Sequence, residues 1–125
     1  MGDLTKNFSR HEFKCKHTGL PGQCEQVGPT PELLAILQEM RDDLGRPITI
    51  ISGHRCPAHN ANVGGVPSSQ HLKGNAGDLR VKGMTPNEVQ EYCLAKYQGR
   101  YGIGRYNTFT HIDARPGPHR WDERT

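Results

Sequence analysis

Two stretches of the chain open in the same way: TPELLAILQEMRDDLG at residues 30–45 and TPNEVQEYCLAKY at residues 85–97. Each places a Thr before a Pro and a carboxylate within the next three residues. A Thr hydroxyl accepts from the free N–H groups of a first helical turn, Pro lacks the N–H that such a turn leaves unused, and a carboxylate favours the positive end of the helix dipole. The chain is thereby committed to two helices with defined starts. In the first, Leu33, Ile36, Leu37, Met40 and Leu44 recur at helical spacing and should face a core. Gly45 ends it and Pro47 prevents its resumption. In the second, Glu88 stands three residues after Thr85, the capping-box spacing, and Val89, Tyr92, Cys93 and Lys96 set the face.

The segments around these helices read as short strands. ITIIS at 48–52 is β-branched and apolar, and GDLRV at 77–81 alternates. YGIGRY and TFTHIDA are two more, joined by a tight turn near Asn107. FSRHEF at 8–13 reads as a short turn or helix start, with Ser9 and Glu12 at capping-box spacing. AHNANVGGVP reads as a short helix or loop closed by Gly64 and Gly65, and RPGPHRWDERT as a tail anchored by Trp121. The expectation is one α+β domain over residues 1–125, with helices on one face of a small antiparallel sheet. Fifteen Gly, nine Pro and a mean hydropathy of −0.77 require a large share of loop around a compact core.

Composition removes several function classes. No apolar run reaches the roughly 18 residues a membrane span needs, and the opening MGDLTKNFSRHEF carries neither a secretory leader nor an acylation signal, Lys6 standing where Ser or Thr is required. Net charge is +3, with Lys and Arg dispersed, so a nucleic-acid-binding arm is not expected. Such a charge suits an anionic polymer such as a bacterial wall, and equally a chain with no charged partner. A monomer is expected. Cys15 and Cys24 flank KHTGLPGQ near His11 and His17, which leaves free thiols, a disulfide loop or a second metal site open; Cys56 stays unassigned and Cys93 reads as core.

The chemistry concentrates in SSQHLKGNAGDLRV, residues 68–81, and in TFTHIDA. His71 and Asp78 are good ligands for zinc. His111 and Asp113 alternate with Ile112, so on a strand they share a face. His71, Asp78 and His111 would make a three-ligand site with a fourth position open to water. Gly74, Ala76 and Gly77 let the backbone turn closely beneath an ion.

These residues also carry a resemblance. His71, Gly74, Ala76 and Asp78, preceded by Ser69, match the SxHxxGxAxD motif, and ISGHRCPAHNANVGGVPSSQHLKGNAGDLRV looks like the longer block, of the zinc D-Ala-D-Ala carboxypeptidase family. That family includes carboxypeptidases, dipeptidases and phage endolysins and shares its fold with the hedgehog signalling domain. GIGRYNTFTHIDAR is similar to the closing block of its small single-domain branch. The resemblance runs from about Phe8 to Trp121. It implies zinc ligands His71, Asp78 and His111, one catalytic zinc ion, and substrate contact by Arg55, whose planar guanidinium can grip a carboxylate or an oxyanion. Ser69 is a further candidate to contact substrate or orient His71.

One position departs from the family pattern. Many members carry Glu or Asp three residues before the last zinc histidine as general base; here it is Thr108. Asp113 is the nearest replacement. It could take the proton, orient a ligand or serve structure alone, with His54, His59 and His119 as alternative proton carriers. The resemblance implies hydrolysis of an amide bond in the peptide part of bacterial peptidoglycan, by a protein made in a bacterial cytoplasm, plausibly from a phage, and acting on the cell wall. The alternatives are a zinc-containing module that binds a wall or partner without turnover, and a structural domain that only docks to the wall.

Overall fold

A computed structural model describes residues 5, 7–13, 29–53, 70 and 74–125. Both helices form where their start signals stand. Helix α1 spans Pro31–Leu44, with the Thr30 hydroxyl accepting from the Leu33 N–H and Gly45 closing it at φ 64°. Helix α2 spans Pro86–Lys96 and has both halves of the capping box between Thr85 and Glu88. Before them, a 3-10 turn over Arg10–Phe13 begins where the Glu12 carboxylate accepts from the Ser9 N–H at 2.6 Å.

Five strands form one sheet in the order β1-β2-β4-β3-β5: β1 Ile48–Ser52, β2 Ala76–Val81, β3 Gly102–Arg105, β4 Thr110–Asp113 and β5 His119–Asp122. The α+β class is as expected; the sheet, however, is mixed and not antiparallel. β5 pairs parallel to β3, whereas the other neighbours pair antiparallel. The segment expected to be a tail therefore completes the sheet. No hydrophobic alternation marks β5, which is largely exposed.

Beside its backbone pairing with β3, one side chain ties β5 to the end of α2. The Arg120 guanidinium donates to the carbonyls of Tyr101 (2.6 Å), Tyr97 (2.8 Å) and Arg100 (2.9 Å). These carbonyls follow the end of α2, and those of Tyr97 and Tyr101 also accept from the backbone N–H groups of Arg100 and His119. Arg120→Ala should therefore cost about 1–3 kcal/mol in a chemical denaturation experiment, through both the helix end and β5. An unchanged midpoint would mean that solvent serves these carbonyls equally well.

One face of the sheet carries the core. Leu33, Ile36, Leu37 and Met40 of α1, Val89 and Cys93 of α2, and Ile48, Ile50, Leu79, Val81, Ile103 and Ile112 of the strands form one buried cluster with Phe8 and Phe13. The helices are tied side by side, Tyr92 donating to Asp43 and Tyr97 to Glu39, each at 2.8 Å. Gln90, fully buried, donates to the carbonyls of Tyr106 and Phe109 at 3.0 Å and so fixes the β3–β4 turn to α2. Among the described residues no helix is long and apolar enough to cross a membrane.

Burial pushes the Cys93 thiol from its ordinary 9.0 up to about 12. Iodoacetamide at pH 8 should leave Cys93 unlabelled in the folded chain and label it in denaturant, as read by peptide mass. As pH rises above 9 the unfolded thiol ionises while the folded one stays neutral. This group then removes up to about 1.4 kcal/mol of stability per pH unit. Fast labelling under native conditions would contradict the burial.

Candidate metal centre

The face turned away from the helices is built from two cross-strand rows. Strand register places Asp78 opposite His111, His111 opposite Gly104, and Gly104 opposite Trp121. One step along, Ala76 is opposite Asp113, Asp113 opposite Gly102, and Gly102 opposite His119. Each row thus carries charge-bearing or aromatic side chains beside very small ones. The small residues are a spatial necessity. A Cβ on Gly104 would overlap the Trp121 ring, standing 2.6 Å from its Cζ2 and Nε1, and one on Gly102 would stand 2.5 Å from Asp113 Oδ1. The Trp121 indole therefore lies across Gly104 and reaches His111, ring centroids 4.7 Å apart. Its Nε1–H donates to the Tyr106 hydroxyl at 2.8 Å.

His111 is held between two carboxylates, with only 6% of its surface exposed. Its Nδ1 is 2.9 Å from Asp78 Oδ1 and its Nε2 is 2.7 Å from Asp113 Oδ2. Burial alone would push its pKa down, but the hydrogen bonds and charges of Asp113 and Asp78 prevail and raise it. Asp113 is fully buried. Burial opposes its ionisation, yet His111 and Arg115 hold it well below the usual carboxylate range.

Every acceptor position of Asp113 is filled. Oδ1 receives the Arg115 Nε–H at 2.8 Å and the Arg115 backbone N–H at 3.2 Å. Oδ2 receives the Arg115 Nη2–H at 2.8 Å and faces His111 Nε2. A carboxylate offers about four lone-pair sites, so this one has none left for water. Because an ionised carboxylate only accepts, His111 carries its hydrogen on Nε2. Nδ1 then confronts an Asp78 oxygen across 2.9 Å. That gap suits either a proton or a cation binding both atoms, and oxygen and nitrogen donors about 2.0–2.2 Å from a common ion are what zinc takes. The pair fits a zinc ion.

Asp78, His111 and Asp113 are thus brought together. His71, Arg55 and Ser69 lie outside the described residues, as do His54, His59, Cys15, Cys24 and Cys56. Among the described residues, no group of three or more His, Cys, Asp or Glu side chains could hold a metal. Gly74 and Asn75, just before β2, are tied to their surroundings by backbone hydrogen bonds. Asn75 N–H donates to the Gln70 carbonyl at 3.1 Å, the Asn75 carbonyl accepts from Ala114 at 3.1 Å, and the Gly74 carbonyl accepts from Thr30 at 3.0 Å. Thr108 is exposed, and its carbonyl accepts from Arg80 at 2.7 Å. His119 is exposed beside Trp121, ring centroids 5.1 Å apart.

Arg115, Gly102, Gly104 and Trp121 belong to the site without having been expected there. The signal was a period of two. His111, Asp113 and Arg115 alternate, as do Gly102 and Gly104, and strand side chains two apart share a face.

The described part of the site is a buried histidine held between two carboxylates on a sheet face floored by glycine. Comparison with known proteins gives the family: this chain belongs to the peptidase M15 family, whose model matches residues 6–113. It is 29% identical over 96 residues to the peptidoglycan L,D-endopeptidase MepK of Escherichia coli K12, covering 71% of this chain and 53% of the relative. It is 48% identical over 44 residues to the zinc D-Ala-D-Ala carboxypeptidase of Streptomyces albus G, covering 34% of this chain and 17% of the relative. The chain spans about half the length of the first of these, and less of the second.

Proposed function

We propose that this chain is a zinc-dependent peptidase that cleaves an amide bond in the peptide part of bacterial peptidoglycan. The observation that carries the reading is the His111 ring, with Nε2 pinned to Asp113 and Nδ1 presented to Asp78 across 2.9 Å. Family membership and the names of the two relatives point the same way.

Asp78 and His111 would hold the ion, with His71 as third ligand on the strength of the sequence motif. Zinc, when bound, supplies a Lewis acid for the scissile carbonyl and lowers the pKa of a water to about 7. Arg55 and Ser69 would face the substrate. Asp113 is assigned to positioning, not to proton transfer. It is buried, its four acceptor sites are occupied, and it holds the His111 Nε2–H, the orienting contact that ligating histidines usually have. The proton acceptor for the attacking water is then sought among His54, His59 and His119. The cell wall is the proposed place of action, and the net charge of +3 suits its anionic polymers.

The test is incubation of the zinc-loaded chain with purified peptidoglycan, with new amino groups counted and released fragments weighed. Chelator-sensitive release is expected. Fragment masses separate loss of a terminal D-Ala from cleavage within a cross-link. Bound zinc without release, across several wall chemistries, would replace the peptidase with a binding module.

A further inference from the structure

The sheet explains how His111 meets Asp113, but not what holds the Asp113 carboxylate in the one orientation that leaves Nδ1 facing Asp78. We propose that Arg115, braced against Trp121, is the positioning residue that sets the His111 ring for metal binding. This rests on the zinc reading above.

Three contacts on one carboxylate carry the argument. The Arg115 fork delivers Nε–H to Oδ1 and Nη2–H to Oδ2, both at 2.8 Å, a bidentate grip that fixes the plane of the carboxylate as a single-point contact cannot. The Arg115 backbone N–H adds a third donor at 3.2 Å. Opposite, Gly102 presents a bare Cα where any Cβ would overlap the carboxylate. Wedged between the fork and the glycine, Asp113 holds the rotamer in which Oδ2 meets His111 Nε2 at 2.7 Å.

Trp121 closes the arrangement. Its ring lies beside the imidazole, and the Arg115 guanidinium stands over the same indole, 5.5 Å from its centre. Guanidinium stacking of this kind is attractive. One aromatic ring therefore restrains both ends of the Arg115–Asp113–His111 chain. The Arg115 side chain stays 27% exposed while Asp113 is sealed, so the arginine links a buried carboxylate to the rim of the site. Among the described residues, the other charged or titratable groups facing the cluster are Asp78 on Nδ1 and His119 on the far side of Trp121. Neither contacts Asp113 within hydrogen-bond distance.

The deciding experiment compares wild type with Arg115→Lys and Arg115→Met, using two readouts apart from activity. The first, on metal-free protein, is the proton NMR signal of the His111 Nε2–H, which a short hydrogen bond to a carboxylate moves far downfield and protects from exchange. The second is zinc affinity, by competition with a chromophoric chelator. The proposal expects a protected signal in wild type, its loss in Arg115→Met, and zinc binding weakened about 10–100-fold there, the usual effect of removing an orienting partner. Arg115→Lys, which keeps the charge but not the fork, should fall between the two. It also decides the matter should Arg115→Met fail to fold. A wild-type signal and affinity retained by folded Arg115→Lys and Arg115→Met would overturn the proposal. A protected signal that depends on Arg115, in a chain that binds no zinc, would remove the zinc reading and leave the positioning chain standing.

Discussion

Asp78→Asn should lower both zinc affinity and peptidoglycan hydrolysis by about a thousandfold or more while leaving the fold in place. Asn can turn its amide N–H to His111 Nδ1, so the cross-strand contact can persist. The amide lacks the negative charge that makes a carboxylate the stronger ligand for zinc. Metal assistance contributes several kcal/mol to amide hydrolysis, and about 4 kcal/mol is a thousandfold in rate. The checks are metal content after dialysis, amino-group release from peptidoglycan, and thermal denaturation of the apo protein. A folded Asp78→Asn chain that binds and cleaves like wild type would remove Asp78 from the ligand set.

Gly102→Ala should be the most damaging change of a single methyl group. The added Cβ would sit 2.5 Å from Asp113 Oδ1 and 2.6 Å from Cγ. Neither backbone can yield, because β3 is paired on both sides and β4 lies in the middle of the sheet. The carboxylate must therefore rotate, which takes it off both the Arg115 fork and His111 Nε2. A buried charge stripped of its partners costs about 3–5 kcal/mol. Urea denaturation of Gly102→Ala should show a loss of that order. Ala at the exposed Gly117, where a Cβ would meet nothing but φ is +79°, should cost only about 1 kcal/mol. Equal stability of the two variants would contradict the close packing around Asp113.

The helices are legible in the sequence because each carries its own start: Thr30 with Pro31, and Thr85 with Pro86 and Glu88, are local signals that no distant contact overrides. The alternation His111–Ile112–Asp113 likewise suffices to place two site residues on one face. β5 is not legible, since its pairing to β3 and the Arg120 contacts that reinforce it join residues about twenty apart in the chain and leave no local pattern. YGIGRY reads as a strand, but the sequence does not show why Gly102 and Gly104 stand in it. Only the register of three strands shows them to be the floor on which Asp113 and Trp121 rest. The role of Asp113 depends on a count that the sequence cannot supply, namely how many donors surround each of its oxygens.

The most direct test of the central claim is zinc stoichiometry by elemental analysis, on the chain purified without chelator and on stripped protein after reconstitution. It is made for wild type and for the His71→Ala, Asp78→Asn and His111→Ala variants. The account predicts one zinc per wild-type chain and markedly less in each variant that remains folded. A wild-type chain that takes up no zinc, or variants that hold it as tightly as wild type, would contradict the assignment of His71, Asp78 and His111 as the metal centre.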